Sequence, residues 1–473
     1  MKKIFLFFIF FLFFFCSKAQ NFVPVPGGIF DYQLQKTIYD SVNNQLLVSS
    51  RLLDDINGLY VRGIGSWDGA SWDSLGGGLD THDTLSTTAT NALITSCIPY
   101  NGKLLVGGQF KSIGGINTSL LALWDGLSWD SLPQRAFEFS TNYADGIVYG
   151  LYKHNGLIYI YGNFDSIVGQ PTSSIATYDG NSFQPIVLPL DSGSQISIHD
   201  AIEFNGELYI CGAFDNNPTP GYRSILKFDG SNWLPVGGGL LNLGSGAYLH
   251  SMVVYKNELY VAGHFLKADG NTGDNVMKWN GSQWIDAQMN NGFNTVIYKM
   301  LVYHEQIWCF GYMDSAGGLS ASNIAVLDST KWCTYANDIF DNIIVSAAIF
   351  NDTLYIAGGF WSVNNDSSVS HFAKIQNPDN FSGCIALGIN EISSFNSFSI
   401  YPNPAQSIIN IEFENSISES YTLNIVNVLG ETVYSKQMND PKLQISVDEF
   451  PSGIYVVRVQ NEKGIWSKKF IRQ

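Results

Sequence analysis

Basic residues are scarce in this chain of 473 residues. Its 25 Lys and Arg face 41 Asp and Glu, so the formal net charge is −16, and it becomes −19 once Lys2, Lys3 and Lys18 are removed with a leader. A protein that binds nucleic acid needs a cationic surface for the phosphates. The acidic balance therefore excludes nucleic acid as a partner.

Signatures of catalysis are also missing. The sequence has no Ser-His-Asp order, HExxH, phosphate-binding glycine loop, CxxC pair or Rossmann glycine pattern. Five cysteines remain beyond the N-terminal region: Cys97, Cys211, Cys309, Cys333 and Cys384. An odd number at irregular spacings predicts no disulfide framework, and pairing of Cys333 with Cys384 stays open. We therefore predict no enzyme and no required cofactor, although a site assembled from distant segments would leave no such signature.

Long apolar runs are confined to the N-terminus. Two lysines precede the run Ile4–Phe15, and the small-residue segment Ser17-Lys18-Ala19 follows it. The run is too short to cross a bilayer as a helix, and this order is typical of a cleaved signal peptide, here residues 1–19. A lipid anchor on Cys16 is the alternative, but the aromatic residues before it disfavour one. The mature chain is predicted to be exported and to lack a transmembrane segment.

Aromatic pairs five residues apart recur along the chain, each enclosing an Asp-Gly or similar turn. The pairs are Trp67/Trp72, Trp124/Trp129, Tyr178/Phe183, Phe228/Trp233 and Trp279/Trp284, with Leu327/Trp332 as a degraded copy. About fifteen residues before each pair lies an apolar strand that contains a glycine. A unit that cannot bury its own apolar faces must stack on copies of itself, so the pattern predicts a repeat fold. Because they recur at one position of the repeat, these aromatics are interpreted as core.

The spacing of the strand glycines fixes the period. Gly108, Gly162, Gly212, Gly263, Gly311 and Gly358 follow one another at steps of 54, 50, 51, 48 and 47 residues. A weaker first copy at 45–72 has Ser50 in place of the glycine, and a seventh copy lies at 352–375. Each copy reads as four antiparallel strands with Asn-Gly and Asp-Gly turns, which suit type I′ hairpins. A period near fifty predicts an all-β fold, a seven-bladed kelch-like β-propeller over 20–385.

The last copy lacks a clear fourth strand. The segment 21–29 is similar to the fourth strand of the fourth copy, 232–240, so the N-terminal strand is predicted to complete the seventh blade. The competing segment is 380–385. The strand pattern, with Leu-Tyr-Ile-Ala-Gly-Gly-Phe at 354–360, resembles the kelch-like and Rax2-like repeats of exported proteins. That resemblance implies the fold, but the family includes binding proteins, sugar oxidases and members without known activity.

The segment 398–473 carries a different pattern of seven short alternating strands, after a linker at 386–397. This predicts a small Ig-like β-sandwich. Its motifs resemble the type A C-terminal sorting domain of the type IX secretion system of Bacteroidetes: Tyr401-Pro402-Asn403-Pro404, Gly430, Gly453 with Tyr455, and Lys468-Lys469. The resemblance implies export through the periplasm, with the secretion machinery and a sortase-like peptidase as partners. The passenger would be released or attached to the outer surface.

Candidate ligand residues lie at one equivalent position in the first strand of each copy. Six positions before each first hairpin stand Thr37, Thr95, Tyr149, His199, His250, Tyr298 and Val345. In a propeller the first strands line the central channel. Tyr149, His199, His250 and Tyr298 could hold a sugar by stacking and hydrogen bonds, or bind a metal through imidazole nitrogen. The plainer alternative is that these side chains fill the space between blades.

One loop offers a calcium candidate. Asp269, Asn271 and Asp274 place oxygen ligands at short intervals, but the loop pattern is incomplete and has no bidentate glutamate. A copper-dependent oxidase is a further alternative, although the required Tyr–Cys crosslink cannot be placed.

The favoured function is a secreted or surface-attached binding protein for a glycan or a protein. The rivals are an extracellular carbohydrate-active enzyme and a structural component of the envelope.

Overall fold

The fold consists almost entirely of antiparallel β-strands. The computed structural model describes residues 21–28, 30–80, 92–134, 146–190, 196–214, 222–242, 245–289, 295–328, 331–334, 338–376, 378, 382–386, 398–413, 421–427, 432–438, 440–461 and 464–473. The predicted signal peptide and nearly all of the predicted linker lie outside these residues. The chain divides into two compact units, Met1–Leu387 and Gly388–Gln473. None of the described residues forms a helix long and apolar enough to cross a membrane.

Seven antiparallel sheets, numbered here in chain order, make up the larger unit and correspond to the seven sequence copies. Strands are given in sequence order. Sheet 1 contains Lys36–Asp40, Gln45–Ser49, Ile64–Trp67 and Trp72–Asp73; sheet 2, Leu93–Tyr100, Lys103–Gln109, Leu121–Trp124 and Trp129–Asp130; sheet 3, Ile147–His154, Leu157–Asn163, Ile175–Tyr178 and Phe183–Pro185; sheet 4, Ile196–Phe204, Glu207–Phe214, Ile225–Phe228 and Trp233–Pro235.

Sheets 5 to 7 follow the same order. Sheet 5 contains Tyr248–Tyr255, Glu258–His264, Val276–Trp279 and Trp284–Asp286; sheet 6, Val296–Tyr303, Gln306–Tyr312, Ile324–Asp328, Lys331–Thr334 and a fifth strand Ser382–Ala386; sheet 7, Ile344–Phe350, Thr353–Gly358, Phe372–Ile375 and the N-terminal strand Phe22–Pro24. Phe22 pairs with Ile375, so the N-terminal strand completes the seventh sheet, as predicted. The competing segment pairs instead with the fourth strand of sheet 6.

Short antiparallel ribbons lie in the connections between these strands. They are Asp55–Ile56 with Leu59–Tyr60, Leu79–Asp80 with Ser112–Ile113 and Ile116–Asn117, Ser166–Ile167 with Gln170–Pro171, Leu241–Asn242 with Ser245–Gly246, and Ser315–Ala316 with Leu319–Ser320. A single 3₁₀ turn is described, at Lys267–Asp269.

Packing between neighbouring sheets forms the core of this unit. The described residues of this unit form seven apolar clusters, and each joins two sheets that are consecutive in the chain or, in one case, sheet 7 and sheet 1. Leu104 and Leu105, adjacent in one strand, belong to different clusters. A strand that is buried on both faces reads as a continuous apolar run rather than an alternating one. This explains why the second strands are the most apolar segments of the repeats.

No sheet closes on itself among the described residues, but the first strands are in contact in a cycle. The first strand of each sheet contacts that of the next, and the first strand of sheet 7, Ile344–Phe350, contacts that of sheet 1, Lys36–Asp40. At this junction Ser346 Oγ accepts a hydrogen bond from the Thr37 backbone N–H over 3.0 Å. The first strands of the seven sheets therefore form a closed series of neighbouring contacts.

The two kinds of hairpin have different geometry. Asn101 and Gly102 both have positive φ, of 48° and 76°, as type I′ turns require. At the Asp-Gly turns only the glycine does: Gly69 has φ of 102°, while Asp68 Oδ1 accepts hydrogen bonds from Ala70 and Ser71 N–H over 2.7 Å. The prediction of type I′ turns is therefore wrong for the Asp-Gly hairpins, because the aspartate side chain organises a longer, four-residue loop.

The cysteines divide into two groups. Cys97, Cys211 and Cys309 carry free thiols, and Cys211 and Cys309 are fully buried. Cys333 takes part in a disulfide, and its backbone lies directly opposite Cys384 in the ladder between the fourth and fifth strands of sheet 6. The register therefore brings together the two positions that the sequence left open as a pair.

The C-terminal unit is built from two antiparallel sheets. One contains Phe398–Tyr401, Ile408–Phe413 and Lys442–Ser446, and the other contains Tyr421–Val426, Thr432–Met438, Gly453–Asn461 and Gly464–Arg472. Side chains from both sheets share one apolar core, in which Ile411, Leu423, Val457 and Phe470 are fully buried. All seven strands predicted for this segment are present.

Candidate functional site

A β-bulge positions the predicted ligand residues. In the first strands of sheets 2 to 7 the pairing register shifts by one residue, and the unpaired residues are Thr95, Tyr149, His199, His250, Tyr298 and Val345. The first strand of sheet 1 pairs without a shift. A bulge bends the strand and redirects a side chain, so that it no longer follows the normal alternation. The bulge thus places equivalent side chains of six sheets at one level.

The recurrent strand glycine faces this bulge. A Cβ atom added to any of the six glycines would lie only 1.9 to 2.1 Å from a backbone carbonyl oxygen just before the bulge, as between Gly212 and Ser197. Only glycine allows the two backbones to approach this closely. Sheet 1, which has Ser50 at this position, has no bulge. The sequence signal used to align the repeats is therefore the signal for the bulge.

Four aromatic side chains form a continuous row on the first strands of sheets 3 to 6, called here the inner row: Tyr149, His199, His250 and Tyr298. The His199 and His250 rings are stacked, with centroids 5.1 Å apart and planes 8° apart. Tyr149 meets His199 edge-on at 5.2 Å, and Tyr298 lies 5.3 Å from His250. All four are half-buried. The structure thus brings together the four residues that the sequence singled out.

The polar atoms of the inner row differ in availability. His199 Nδ1 lies 2.6 Å from the Leu249 carbonyl oxygen, so this nitrogen carries the proton and donates; Nε2, 3.0 Å from Ser197 Oγ, accepts. The His250 imidazole and the hydroxyls of Tyr149 and Tyr298 have no hydrogen-bond partner among the described residues. A ligand in front of the row would meet three free polar groups on a wall of aromatic rings.

Both imidazoles are neutral at pH 7. Burial, with smaller contributions from His199, Lys36 and His264, lowers the pKa of His250 to about 3. Burial also lowers the pKa of His199, although its hydrogen bond to Leu249 opposes the shift. Burial raises the pKa of Tyr298, so its hydroxyl remains a donor. The row therefore carries no charge of its own.

Three charged residues beside the row were missed by the sequence comparison. Asp200 and Lys299 directly follow His199 and Tyr298, and Lys36 lies on the first strand of sheet 1. Burial lowers the pKa of Lys36 to about 8, with a further decrease from Lys299 and an opposing effect of Asp200. Strict alternation of side chains along a strand would turn Asp200 and Lys299 away from the row. A charged residue beside a bulge in an apolar strand is the signal that could have revealed Asp200 and Lys299, whereas Lys36 lies on a strand without a bulge.

The described residues offer no cluster of ligands for either predicted metal site. Among the described residues no group of three His, Cys, Asp or Glu side chains is placed to hold a metal ion. In the calcium candidate, Asp269 accepts from Leu266 N–H and Asp274 from Lys267 N–H. Asn271 accepts from Leu241 N–H and donates to the carbonyls of Leu241 and Leu266. These side chains hold the shape of their own loop, and calcium there stays a prediction.

In the C-terminal unit, the Tyr-Pro-Asn-Pro motif fastens the last strand. Asn403 Oδ1 accepts a hydrogen bond from Ile471 N–H over 3.0 Å, and Asn403 Nδ2 donates to the Lys469 carbonyl over 3.2 Å. Ala405 continues this contact, since its N–H donates to the Ile471 carbonyl over 2.8 Å. One amide thus bridges two backbone groups of the basic terminal strand. The motif and the strand form one structural element, although about seventy residues separate them.

The other motif residues have distinct places. The Tyr455 hydroxyl donates to the Pro451 carbonyl over 2.8 Å and closes the turn that leads to Gly453. Tyr401 donates to Glu412 over 2.6 Å. Pro402, Pro404, Lys468 and Lys469 are exposed, and the Lys468 ammonium lies 5.8 Å from the centre of the Phe398 ring. Gly430 lies outside the described residues. Lys468 and Lys469 are thus exposed to solvent on the terminal strand.

Comparison with known proteins identifies this unit. Residues 399–473 match the secretion system C-terminal sorting domain family. The protein therefore carries a sorting domain of the type IX secretion system. This domain implies export to the cell surface or secretion into the medium. No curated protein matches the chain.

Solved structures of similar shape are distant. One is PorZ, a surface component of the type IX secretion system of Porphyromonas gingivalis, at 14% identity and a TM-score of 0.44; the match covers 94% of this chain and 60% of PorZ. A copper-bound fungal alcohol oxidase of the AA5 family has 13% identity and a TM-score of 0.36, with 95% and 96% covered. The extracellular domain of a one-component system from B. thetaiotaomicron has 9% identity and a TM-score of 0.24, with 95% and 90% covered.

Proposed function

We propose that the seven sheets are the blades of a kelch-like β-propeller whose first strands line a central channel. Three observations support this arrangement: the cyclic contact of the first strands, the seven clusters between consecutive sheets, and the N-terminal strand in sheet 7. The last blade would then contain a strand from the N-terminal end of the chain. Such a strand joins the two ends of the ring, and it covers the sheet edge that would otherwise be exposed. We also propose that the two sheets of the C-terminal unit form an Ig-like β-sandwich.

We propose further that this protein is a non-enzymatic binding protein, exported by the type IX system, that captures a glycan or a protein outside the cell. The inner row carries this proposal, because its contacting rings include three residues, Tyr149, His250 and Tyr298, whose polar atoms have no hydrogen-bond partner among the described residues. Aromatic rings that carry hydrogen-bonding groups suit sugars, which have both apolar faces and polar edges. Rigid strands hold these side chains in place without a ligand.

A glycan-array screen of the mature chain, with and without calcium, tests this function. We expect selective binding that is reduced at least tenfold by His250→Ala and by Tyr298→Ala. Thr95→Ala is the matched control, since it changes the same bulge position in a sheet outside the row. Silence of the array, combined with retention of the protein in the envelope, would favour a structural component instead.

A second experiment tests the route of export. Deletion of 399–473 should leave the protein inside the cell envelope, whereas the full chain should reach the surface or the medium. We propose that a sortase-like peptidase removes the sorting domain after transport. The mass of the mature protein, compared with that of the chain that ends at residue 473, reports this cleavage. Signal-peptide cleavage after Ala19 is read from the N-terminal sequence of the same sample.

A further inference from the structure

Two lysines lie on first strands, directly beside positions at the level of the inner row. Lys36 comes from sheet 1 and Lys299 from sheet 6, and both are half-buried. Lys36 interacts electrostatically with Lys299 and Asp200, and with both histidines of the row. Those residues belong to sheets 4, 5 and 6, so the Lys36 ammonium is close enough to three other sheets to interact with them electrostatically. Neither ammonium forms an ion pair among the described residues.

Asp200 is the acidic residue of this group, and its carboxylate is already held. Oδ1 accepts from Ala201 N–H over 2.9 Å, and Oδ2 accepts from Met252 N–H over 2.7 Å. Both lysines thus interact electrostatically with a single carboxyl group, whose oxygens are fixed by backbone donors. In a chain of net charge −16, this local excess of positive charge is unusual. Paired like charges in a confined space attract a counter-ion of opposite sign.

We infer that the inner row binds a sugar that carries a carboxylate, of the hexuronate class, with the carboxylate placed between Lys36 and Lys299. The sugar ring would lie against Tyr149, His250 and Tyr298, whose free polar atoms would meet its hydroxyls. This inference rests on the proposed binding function and specifies its ligand. Charge-assisted hydrogen bonds from ammonium to carboxylate are stronger than neutral ones, so they would provide the specificity.

The protonation states of the site agree with such a ligand. Burial and the neighbouring Lys299 lower the pKa of Lys36 to about 8, so this lysine is mostly charged at pH 7. A bound carboxylate would relieve the repulsion between the lysines and raise that pKa. Affinity should then fall as the pH rises from 7 to 9, because the free protein loses its proton. His250 stays neutral over this range, so its imidazole can both donate to and accept from hydroxyls.

Calorimetric titration of the full mature chain at pH 7 and low ionic strength tests the inference. The probes are galacturonate and glucuronate, the neutral sugars galactose and glucose, and the simple anions acetate and phosphate. We expect the uronates to bind at least tenfold more tightly than the neutral sugars and the simple anions. Lys36→Met and Lys299→Met should each weaken uronate binding at least tenfold, and Lys36→Arg should restore most of it. Lys267→Met, which removes an exposed lysine of the 3₁₀ turn, is the matched control.

Each other outcome separates the inference from the proposed function. Equal binding of neutral sugars, unchanged in the lysine variants, would overturn the acidic ligand and leave glycan binding in place. Acetate or phosphate as tight as the uronates would overturn sugar recognition. No binding of any probe would overturn the inference, whereas the proposed function would still be decided by the array and by capture of a protein partner. The pH profile of the unaltered protein needs no variant, and a flat profile from pH 7 to 9 would also count against the site.

Discussion

The glycines of the second strands act by the atoms they lack. Gly212 lies so close to the first strand that an added Cβ would be 1.9 Å from the Ser197 carbonyl oxygen. Gly212→Ala should therefore force the strands apart and reduce the free energy of unfolding by about 2 to 3 kcal/mol, the usual cost of an overpacked core. Urea unfolding of the mature chain measures this difference.

Ser50→Ala is the control for that substitution. Ser50 occupies the equivalent position in sheet 1, where the strands pair without a bulge, and its buried hydroxyl has no hydrogen-bond partner in the part of the chain that the structure describes. Its removal should change stability by less than about 0.5 kcal/mol. An equal loss in both variants would mean that the position is merely sensitive, and the close approach to the bulge would not be its cause.

A tryptophan of the fourth strand links each of four sheets to the sheet before it. The indole N–H donates to a carbonyl that follows the fourth strand of the preceding sheet, over 2.8 to 3.2 Å: Trp72 to Pro26, Trp129 to Leu75, Trp284 to Val236 and Trp332 to Ala287. Trp72 makes this bond across the junction of sheets 7 and 1. The aromatic pairs are thus part of the packing, and also connect one sheet to the next.

Trp129→Phe tests this connection against its stacking partner. Trp124 belongs to the same pair, with ring centroids 4.7 Å apart, but its indole N–H has no hydrogen-bond partner among the described residues. Both substitutions remove similar apolar area, whereas only Trp129→Phe leaves the Leu75 carbonyl without a donor. We expect Trp129→Phe to cost about 1 to 2 kcal/mol more than Trp124→Phe in chemical unfolding. Equal costs would show that the hydrogen bond does not matter.

At the scale of the element, the N-terminal strand is the critical one. Phe22 is fully buried against Phe340, with ring centroids 5.3 Å apart, and Asn21 Nδ2 donates to Asp338 over 2.6 Å. Deletion of 21–26 would expose the edge of Phe372–Ile375 and remove the acceptor of Trp72. An open, apolar strand edge pairs with other chains. We expect a lower unfolding temperature and concentration-dependent aggregation, measured by light scattering.

Deletion of the same length elsewhere provides the comparison. Removing 468–473 shortens the terminal strand of the C-terminal unit and leaves the seven sheets unchanged. Aggregation of the first variant alone, with the larger unit melting early, would support closure by the N-terminal strand. Similar behaviour of both variants would argue against a special role for residues 21–26.

The sequence predicted the elements better than the inner site. Asn-Gly turns mark strand ends because few residues tolerate positive φ, and the periodic glycines mark the close approach of the second strand to the first, so the strands and the seven copies were predictable. Tyr149, His199, His250 and Tyr298 were found because they share one position relative to a turn. Lys36, Asp200 and Lys299 were not, because a bulge breaks the alternation that sequence reading assumes, and Lys36 lies on the one first strand without a bulge. Ring contacts between sheets depend on the whole fold.

At the scale of the molecule, the larger unit contains buried groups whose protonation couples to folding. The pKa of His250 is lowered to about 3 in the folded chain, from an ordinary value of 6.5. A group with a depressed pKa favours its deprotonated form when folded, so its contribution is complete above pH 6.5 and is lost as the pH falls towards 3. In this window stability should fall by up to about 1.4 kcal/mol per pH unit for this residue. His199 acts in the same direction, and Asp200, whose pKa is raised by burial, opposes it at the acid end.

His250→Gln isolates this coupling, because glutamine keeps hydrogen-bonding groups but does not titrate. We expect the unaltered protein and the variant to differ in the pH dependence of their unfolding midpoints between pH 6.5 and 4, with the flatter profile in the variant. His304→Gln is the control, since His304 is exposed on a first hairpin, 3.2 Å from Asp352, away from the inner row. Parallel profiles of the unaltered protein and His250→Gln would mean that water solvates the His250 imidazole freely. The confined channel wall proposed for the site would then be ruled out, because the same burial that lowers this pKa is what would exclude water around a bound ligand.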